Sequence, residues 1–563
     1  MKLIIDFLAG LSKKGKIIFS LILGTVMAFL MFYIFLPAIN IHSRGFWIYL
    51  FAVLFFYLLP FLQPSISPIV ILGAEEAKKK KKKKKKAEPA VSFNKKAAIP
   101  LALPIAVLVI GSIFSSEFFF ARSYASVISV EEAVFSEDMP KTDMSEITNI
   151  ALMDTDSAAI LGTRTLGSLS HVVSQYTLST YYTQINYHST PKKVSNLEYD
   201  GFFKWLGNRE SGVPGFVMVD PVKSESTYVE FSEAIRYVES AYFGEDLERK
   251  LRMSYPTKIF DSISFEIDEE GNPYYVVSCA KPNIFLFGAM DITEVILFDP
   301  ASGESEIMPV SEAPSWIDVV YTGNLATEKY NWRGAYSGGF LNSIIGNVGC
   351  TVATDDFGYI VRGDDVWYFT GVTSAVADDR SNIGFILSNA RTGEYKFYPV
   401  VGAEEHSAMA AAEGEVQEKG YKASFPSLVN ISGQATYICV LKDDAGLVKL
   451  YALVNVENYS IVATGATQTE AMSAYTKLLK QNNVEIGGDG AQSASIVAED
   501  VRIITVSGVA TVYITANDGN VYKGYLEADE ALILVRAGDA LNVSYTSGEV
   551  ENIYTILSWS FEN

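Results

Sequence analysis

Three uncharged apolar segments near the N-terminus form the most regular pattern in the chain. They cover residues 17–39, 46–62 and 97–116. A helix of about 20 apolar residues crosses the hydrocarbon of a bilayer, so each segment predicts a membrane-spanning helix. The first segment is too long for a cleavable signal, and two further segments follow it. We therefore expect a three-helix transmembrane anchor over residues 17–120.

Basic residues flank these segments unevenly. The N-terminal segment 1–16 and the loop 74–96 are rich in lysine, whereas Arg44 is the one Lys or Arg between the first two spans. The positive-inside rule places both lysine-rich segments in the cytoplasm and the chain after residue 120 outside, in a multi-pass protein of the plasma membrane. The lysines concerned are Lys13, Lys14, Lys16, Lys78, Lys79, Lys80, Lys81, Lys82, Lys83, Lys84, Lys85, Lys86, Lys95 and Lys96.

We interpret these lysines as topogenic residues at the membrane surface. A run of nine lysines beside a bilayer is also attracted by anionic lipid headgroups, which is the alternative role for residues 78–86. In either role the lipid bilayer is the first predicted partner. The apolar residues within 2–16 suit a short interfacial helix or an extension of the first span.

A repeated pattern of strand, turn and strand follows in the rest of the chain. Each copy has an apolar strand, an Asp or Asn, a short turn, a Glu and a second strand, over residues 215–229, 294–308 and 384–398. Residues 451–463 form a looser fourth copy. Side-chain capping by Asp or Asn and a positive φ at glycine are typical of tight β-hairpin turns. The predicted turn residues are Asp220, Asp299, Gly303, Asn389 and Gly393.

Helical patterns alternate with these hairpins. Residues 231–251 predict a helix before the second copy, and the capping box 467–470 opens another helix that runs to about Lys480. The repeating unit is therefore a helix packed on an antiparallel meander, which is an α+β arrangement. We expect a first α+β region at 121–230, a second α+β unit at 231–316 and a third α+β region at 317–485.

The last predicted domain, residues 491–563, follows a glycine-rich linker. It holds five short strand patterns, and Asn517, Asp518, Gly519 and Asn520 form a strong hairpin turn. This segment resembles a small OB- or SH3-like barrel. Basic residues are few there, which favours a packing or capping module over a polymer-binding one.

The hairpin motif carries a resemblance to a known family. Residues 299–304 and 389–394 are similar to the D-x-x-(T/S)-G-E hairpin of PepSY-type modules, which are small extracytoplasmic α+β units. Residues 220–225 match less well, with Ser224 where glycine is expected. The family is associated with extracytoplasmic inhibition or regulation of proteases and with envelope proteins, and the resemblance implies such a role here.

The charge of the chain is strongly asymmetric. Residues 117–563 hold 29 Lys or Arg and 61 Asp or Glu, a net charge of −32. Such a domain excludes nucleic acid as a partner, because nucleic-acid affinity rests on clustered basic residues. Its three cysteines, Cys279, Cys350 and Cys439, are too few for a disulfide framework. They are either three buried thiols or one disulfide and one thiol.

A search for catalytic motifs finds none that is complete. The histidines lack zinc-ligand spacing, and neither a phosphate-binding loop nor a nucleophile elbow is present. Ser189 and Lys192 match S-x-x-K, but the companion motifs of that chemistry are missing. Acidic pairs at 154–156 and 443–444 are calcium ligands or, in the simpler interpretation, turn residues. We predict no catalytic residue, no metal and no cofactor.

Together these patterns predict a multi-domain membrane protein. It has three N-terminal transmembrane helices, an α+β ectodomain of repeated helix-plus-antiparallel-meander units, and a small all-β barrel. The expected function is a membrane-anchored extracytoplasmic binding, scaffold or regulatory protein of the bacterial cell envelope, with a protein or cell-wall partner. The alternative is an envelope hydrolase or transferase that acts on peptide or glycan through carboxylates. The oligomeric state stays open.

Overall fold

A computed structural model of the protein describes residues 11–61, 65–66, 91–92, 95–144, 146–376, 381–482, 484, 492–506, 509–547 and 552–562. The chain divides into two compact units. Unit 1 consists of Met1–Phe120, Phe243–Phe260 and Ala280–Asp291. Unit 2 consists of Ala121–Tyr242, Asp261–Cys279 and Ile292–Asn563.

The helices and strands are as follows. The α-helices are α1 Lys13–Phe35, α2 Arg44–Leu58, α3 Lys95–Phe114, α4 Glu117–Ala125, α5 Phe135–Asp138, α6 Thr155–Gly167, α7 Ser170–Val173, α8 Phe202–Asn208, α9 Leu247–Ser254, α10 Gly323–Tyr336, α11 Glu405–Glu415 and α12 Gln468–Gln481. The strands are β1 Ser65–Ile66, β2 Val91–Ser92, β3 Val130–Glu132, β4 Tyr176–Leu178, β5 Thr183–Tyr187, β6 Thr190–Tyr199, β7 Val213–Asp220, β8 Glu225–Ile235, β9 Ile259–Ile267, β10 Pro273–Ile284, β11 Gly288–Phe298, β12 Ser305–Pro309, β13 Thr351–Ala353, β14 Gly358–Arg362, β15 Asp365–Ser374, β16 Ser381–Asn389, β17 Tyr395–Tyr398, β18 Gly402–Ala403, β19 Lys422–Ala423, β20 Ser427–Ile431, β21 Gln434–Lys442, β22 Val448–Asn455, β23 Val462–Gly465, β24 Gln492–Val506, β25 Val509–Ala516, β26 Val521–Tyr525, β27 Ala540–Ser547 and β28 Ile553–Phe561.

Two helices of unit 1 are long and apolar enough to cross a membrane. They are Lys13–Phe35 and Arg44–Phe61, where the second joins α2 to a 3₁₀ turn. Ile99–Phe114 and Glu117–Ala125 meet at a bend of 52° and provide a third candidate only if they are taken as one span. Of the three predicted spans, the structure therefore supplies two helices that satisfy the requirement alone.

The first helix begins earlier than the apolar segment that predicts it. The Ser12 hydroxyl accepts a hydrogen bond from the Gly15 N–H at 3.1 Å, which caps the helix and makes Lys13, Lys14 and Lys16 part of its first turns. It ends at Phe35 because Leu36 adopts a left-handed conformation. Lys95 and Lys96 open α3, whereas the predicted lysine run 78–86 and residues 1–10 lie outside the described residues.

The element order of the remaining chain repeats a helix followed by a four-stranded meander. Sequential strands are neighbours in β5–β8, β9–β12, β14–β17 and β20–β23. The preceding helices are α6 with α7, α9, α10 and α11, respectively. The helix-plus-meander unit predicted from the sequence thus occurs four times in the order of elements.

The helix predicted over residues 231–251 is wrong for most of its length. Residues 231–235 belong to strand β8, which pairs antiparallel with β7, and the helix covers only Leu247–Ser254. The pairing stacks the ring of Phe231 on Phe216, with centroids 5.2 Å apart. Strand pairing provides backbone hydrogen bonds, and the ring contact gives the Phe231 side chain a packing partner. Together these interactions override the local helical pattern. The predicted domain boundary at 230/231 consequently falls inside a strand.

The three predicted turns each join two antiparallel strands. The side chains of Asp220, Asp299 and Asn389 accept hydrogen bonds from the backbone N–H groups two and three residues further on, at 2.8 to 3.3 Å. Gly303 and Gly393 have φ values of +77° and +71°. The same position in the first turn is Ser224, with φ +56°. The three turns therefore share one backbone conformation, as the repeated sequence indicates.

A backbone contact that we call the clasp repeats with these turns. The carbonyl oxygen directly after the turn Asp or Asn, in Pro300 and in Ala390, accepts two backbone hydrogen bonds from an earlier segment of the chain. The donors are Arg236 and Tyr237 for Pro300, at 2.8 and 3.1 Å, and Val320 and Tyr321 for Ala390, at 3.0 and 2.8 Å. In the looser fourth copy the Val456 carbonyl accepts from the Ala403 N–H at 2.8 Å. Each donor segment leads into the next helix.

The core of unit 2 lies between the faces of successive meanders. The third and fourth meanders share one cluster, in which the rings of Phe385 and Tyr437 meet edge to face at 5.7 Å. The opposite face of the third meander packs on α10 through Tyr330, and that of the fourth packs on α12 through Tyr475. Because both faces of these sheets are covered, their strands are apolar on both sides rather than alternating.

The C-terminal segment is a closed five-stranded barrel with the strand order β24-β25-β26-β28-β27. β24 pairs with β27 to close it, and β26 runs parallel to β28. Leu541, Ile514 and Tyr522 are among the fully buried side chains of its core. The linker predicted at 487–490 lies outside the described residues, and the barrel begins at Gln492.

Candidate functional site

A cavity of about 300 Å³ in unit 2 is the candidate functional site. It is bordered by the first strands of three meanders, β5, β14 and β20, and by the loop that leads into α6. Gln184 and Lys193 provide polar side chains from β5 and β6, and Asp154 and Thr155 provide them from the loop. The first strands of three repeats thus border one group of polar side chains in a concave site, which is the usual setting of a ligand site.

Lys193 is the central residue of this cavity. Its side chain is 3% exposed, and its ammonium nitrogen lies 3.4 Å from the Thr155 hydroxyl and 5.1 Å from the ring centroid of Tyr359. No carboxylate of the described residues lies within 4 Å of this nitrogen. Burial lowers the pKa of Lys193 to about 8, against the opposing effect of the Asp154 charge. The group is therefore a buried cation at neutral pH, held by an aromatic face and one hydroxyl.

Asp154 stabilises the Lys193 cation only through its charge at a distance, because its carboxylate is in direct contact with another lysine. The Asp154 carboxylate accepts hydrogen bonds from the Lys442 ammonium and, at 2.8 Å, from the Ser157 N–H. Burial opposes its ionisation, but these hydrogen bonds hold the pKa of Asp154 below its ordinary value. Asp154 also caps α6, so its position is fixed by the start of that helix.

The rest of the cavity wall is largely apolar. Phe357, Tyr359 and Phe425 contribute rings, and the ring of Phe425 also packs on Phe369 at 6.1 Å. Among the described residues, the buried Gln184 amide makes one long hydrogen bond, 3.5 Å to the Ile185 carbonyl, so its polar atoms have capacity left for a ligand. A buried cation, an amide and aromatic walls suit a small organic anion with an apolar body.

Two further buried carboxylates, Glu266 and Asp318, hold the backbone rather than line the cavity. Glu266 accepts hydrogen bonds from the Asp318 N–H at 2.8 Å and the Val319 N–H at 3.1 Å. Asp318 in turn accepts one from the Asn186 N–H at 2.7 Å. Burial raises the pKa of both carboxyls, and their mutual repulsion raises that of Asp318 further. They connect three segments of the chain at one buried point.

Of the residues singled out in the sequence, Asp154 lines the cavity, and those named next lie elsewhere. The hairpin-turn residues shape turns and do not line the cavity. Ser189 has φ +56° in the β5–β6 turn and Lys192 pairs with Asp220 at 2.6 Å, so S-x-x-K does not form a helical turn here. The three cysteines are buried thiols without a disulfide. Among the described residues, no cluster of three or more His, Cys, Asp or Glu is able to hold a metal ion.

Sequence reasoning missed Lys193, although a signal was present. Lys192 and Lys193 are adjacent in a strand, and successive side chains of a strand point to opposite faces. Lys192 therefore reaches Asp220 while Lys193 enters the cavity. Two consecutive lysines in an otherwise buried strand indicate that one of them is buried.

Comparisons with known proteins identify no family for this chain. No family model and no curated protein matches the chain. Among solved structures, an ancestral GH74 enzyme matches with 11% identity and a TM-score of 0.16 over 60% of this chain and 41% of its own. An ACO/RPE65 chimera and a GH43 β-1,3-galactosidase match with 8% and 10% identity and TM-scores of 0.13 and 0.14, over 51% and 65% of this chain. The chain spans about half the length of these structures, at 41% to 57%.

Proposed function

We propose that the chain is a membrane-anchored extracytoplasmic binding or regulatory protein of the bacterial cell envelope, with the cavity around Lys193 as its ligand site. The anchor comprises three spans, with the lysine-rich segments in the cytoplasm and unit 2 outside. The observation that carries this proposal lies within unit 1. There, the segments Phe243–Phe260 and Ala280–Asp291 contact the end of α1, the start of α2 and the end of α3.

The first helix meets these segments at its C-terminal end. The Arg249 guanidinium lies over the Tyr33 ring, 4.4 Å from its centroid. The Asn40 amide, in the loop after α1, donates to the Thr257 carbonyl at 2.8 Å. Because α1 has 23 residues and is about 34 Å long, its lysine-bearing start lies at the opposite end.

The start of the second helix and the end of the third meet the same segments. The Arg44 guanidinium lies 5.7 Å from the ring centroid of Phe287. The Ser115 hydroxyl, just after α3, accepts hydrogen bonds from the N–H groups of Leu286 and Phe287 at 3.2 and 3.0 Å. These ends belong to one side of a membrane if the helices cross it, and the lysines at 13–16 and 95–96 belong to the other. This grouping supports the orientation expected from the positive-inside rule.

The orientation is tested by cutting the intact protein from one side. A site for a specific protease is inserted in the loop 74–96 in one variant and at the exposed turn Gly363–Asp364, between β14 and β15, in another. Protease added to intact spheroplasts is expected to cut only the second variant, and to cut both after lysis. Cleavage of the loop 74–96 in intact spheroplasts would overturn the proposed topology.

The ligand class follows from the charge of Lys193. A buried ammonium group without a carboxylate partner is costly, and an anionic ligand would supply that partner. The aromatic walls favour a ligand with an apolar body next to its carboxylate. Benzoate has this character, and benzamide is its neutral counterpart of nearly the same shape.

The ligand class is tested by thermal unfolding of the full chain in detergent. Benzoate is expected to raise the Tm of the wild type and of Lys223→Met, which changes an exposed lysine, but not of Lys193→Met. Benzamide is expected to have no comparable effect. A benzoate effect that persists in Lys193→Met, or an equal effect of benzamide, would count against the site. Lys193→Met is expected to fold, because it replaces a buried charge with an apolar side chain of similar size.

The PepSY-like role in regulating extracytoplasmic proteases remains part of this proposal. Its support is the repeated helix-plus-meander order and the shared hairpin turns at Asp299 and Asn389. Pull-down from envelope extract with the full chain, compared between wild type and a variant with the exposed turn residue Thr392 replaced by Arg, tests whether these turns contact a protein partner.

A further inference from the structure

An exposed apolar loop follows helix α10. Within residues 340–348, the side chains of Leu341, Ile344, Ile345 and Val348 are 69%, 61%, 79% and 79% exposed. A π-helical turn, Asn342–Gly346, presents them together on one short segment. Four large apolar side chains at this exposure within eight residues differ from the scattered surface apolar residues of ordinary proteins.

The loop is held in shape by its polar residue rather than by apolar packing. The Asn342 amide donates to the Val348 carbonyl at 2.9 Å, and its oxygen accepts from the Val348 N–H at 3.2 Å. The buried Cys350 thiol donates to the Ala335 carbonyl at 3.3 Å. The backbone is therefore closed on itself while the apolar side chains point outward, so the exposure does not come from a lack of local structure.

The loop is also free of charge. No Asp, Glu, Lys or Arg lies between Arg333 and Asp355, although residues 117–563 carry a net charge of −32. An acidic domain is repelled by anionic headgroups, so an uncharged segment is the part of it that is able to enter a bilayer surface at least cost.

A series of aromatic contacts connects the base of the loop to helix α4. Tyr124 lies edge to face with Trp332 and Tyr336 of α10, with centroids 5.1 and 6.4 Å apart. Tyr336 stacks on Phe340 at 6.5 Å. Tyr124 itself belongs to α4, the second helix of the bent pair that provides the candidate third span, and it lies eight residues after the predicted span 97–116. The base of the loop therefore packs on the residues that leave the proposed membrane anchor.

We infer that residues 340–348 form a second membrane contact, whose apolar side chains insert into the outer surface of the bilayer that holds the anchor. This inference rests on the proposed membrane anchoring and adds a lipid-binding surface in unit 2. The apolar side chains would exchange water for hydrocarbon, and the hydrogen bonds of Asn342 would keep the backbone satisfied at the interface.

The test uses the full chain reconstituted in vesicles of three parts phosphatidylcholine to one part phosphatidylglycerol. Ile345→Cys carries an environment-sensitive NBD fluorophore, and Glu418→Cys, in an exposed turn beside Lys419, carries it as the matched control. The wild type, whose cysteines are buried, gives the labelling background. The emission at residue 345 is expected to shift to the blue, to be quenched by lipids brominated on the acyl chain and to resist aqueous iodide. The emission at residue 418 is expected to show the reverse.

The outcomes separate the inference from the proposed function. If the protein does not float with the vesicles, the anchor itself fails. If it floats but iodide quenches residue 345 as strongly as residue 418, only the loop contact is overturned. A blue-shifted emission that brominated lipids do not quench would mean that protein covers the loop, and it would also overturn the inference. The single substitution Ile345→Cys leaves the backbone closure by Asn342 intact, and circular dichroism checks that each variant is folded.

Discussion

The ring of Tyr321 lies against Gly393, with its nearest carbon only 2.9 Å from the position that a β-carbon would take there. Tyr237 lies against Gly303 in the same way, at 2.5 Å. Both glycines have positive φ, and both tyrosines belong to the donor segments of the clasp. The repeated turn glycine therefore meets two requirements, a left-handed backbone and room for a neighbouring ring.

Gly393→Ala is expected to destabilise the protein by about 1–3 kcal/mol, because alanine strains the left-handed turn and its methyl group displaces Tyr321. Urea unfolding of the full chain in detergent, followed by tryptophan fluorescence, measures the change. Gly414→Ala is the control, since Gly414 lies within helix α11 with negative φ and no atom near its β-position. It should stabilise by about 0.5–1 kcal/mol. Equal effects at the two positions would contradict the argument.

Ser224→Gly is expected to stabilise the protein by about 1 kcal/mol. Ser224 holds φ +56° at the position where the other two turns have glycine, and a left-handed conformation is costly for any residue with a β-carbon. Ser174→Gly is the matched control, because Ser174 is exposed and has φ −75°. That change should destabilise slightly by adding freedom to the unfolded chain. A loss of stability in Ser224→Gly, measured by the same urea unfolding, would show that the serine side chain matters more than the strain.

The reactivity of Lys193 should follow its lowered pKa. Competitive labelling with acetic anhydride across a pH series, read by mass spectrometry, is expected to give a midpoint near pH 8 for this lysine. Lys422 provides the contrast in the same digest, because its hydrogen bond to Glu413 raises its pKa above the ordinary value. A midpoint for Lys193 at or above that of Lys422 would rule out a buried, unpaired ammonium group. Only the midpoint is compared, so slow access to the cavity does not affect the result.

Asp318→Asn is expected to raise the Tm more at pH 8 than at pH 5. Burial and Glu266 raise the pKa of Asp318 in the folded chain, so the folded state binds more protons than the unfolded state. The stability that this group contributes is present below the ordinary carboxyl pKa and is lost as pH rises through the raised value. Asparagine removes the charge that causes this loss. Asp200→Asn, at an exposed turn, is the control, and a pH-independent difference in Asp318→Asn would contradict the assignment.

The sequence was sufficient for features that depend on local chemistry. The turns at Asp299 and Asn389 could be predicted because Asx capping and a glycine with positive φ act within six residues. Strand β8 could not, because its preference is decided by pairing with β7 and by the contact between Phe231 and Phe216. Lys193 was missed for a similar reason. The adjacent lysines indicate that one of them is buried, but the register of β6 between β5 and β7 decides that it is Lys193.

The clasp has a consequence for dissecting the protein. The carbonyl of Pro300 depends on N–H groups at 236–237, that of Ala390 on 320–321, and that of Val456 on Ala403. Each repeat thus accepts backbone hydrogen bonds from the segment that follows the preceding repeat. A cut between repeats removes these N–H donors and leaves buried carbonyl oxygens without hydrogen bonds. Fragments that begin at 231 or 317 would retain these donors, whereas fragments that begin a few residues after 237 or 321 would lose them. An expression boundary chosen by helix and strand limits alone would therefore remove the hydrogen bonds of the clasp.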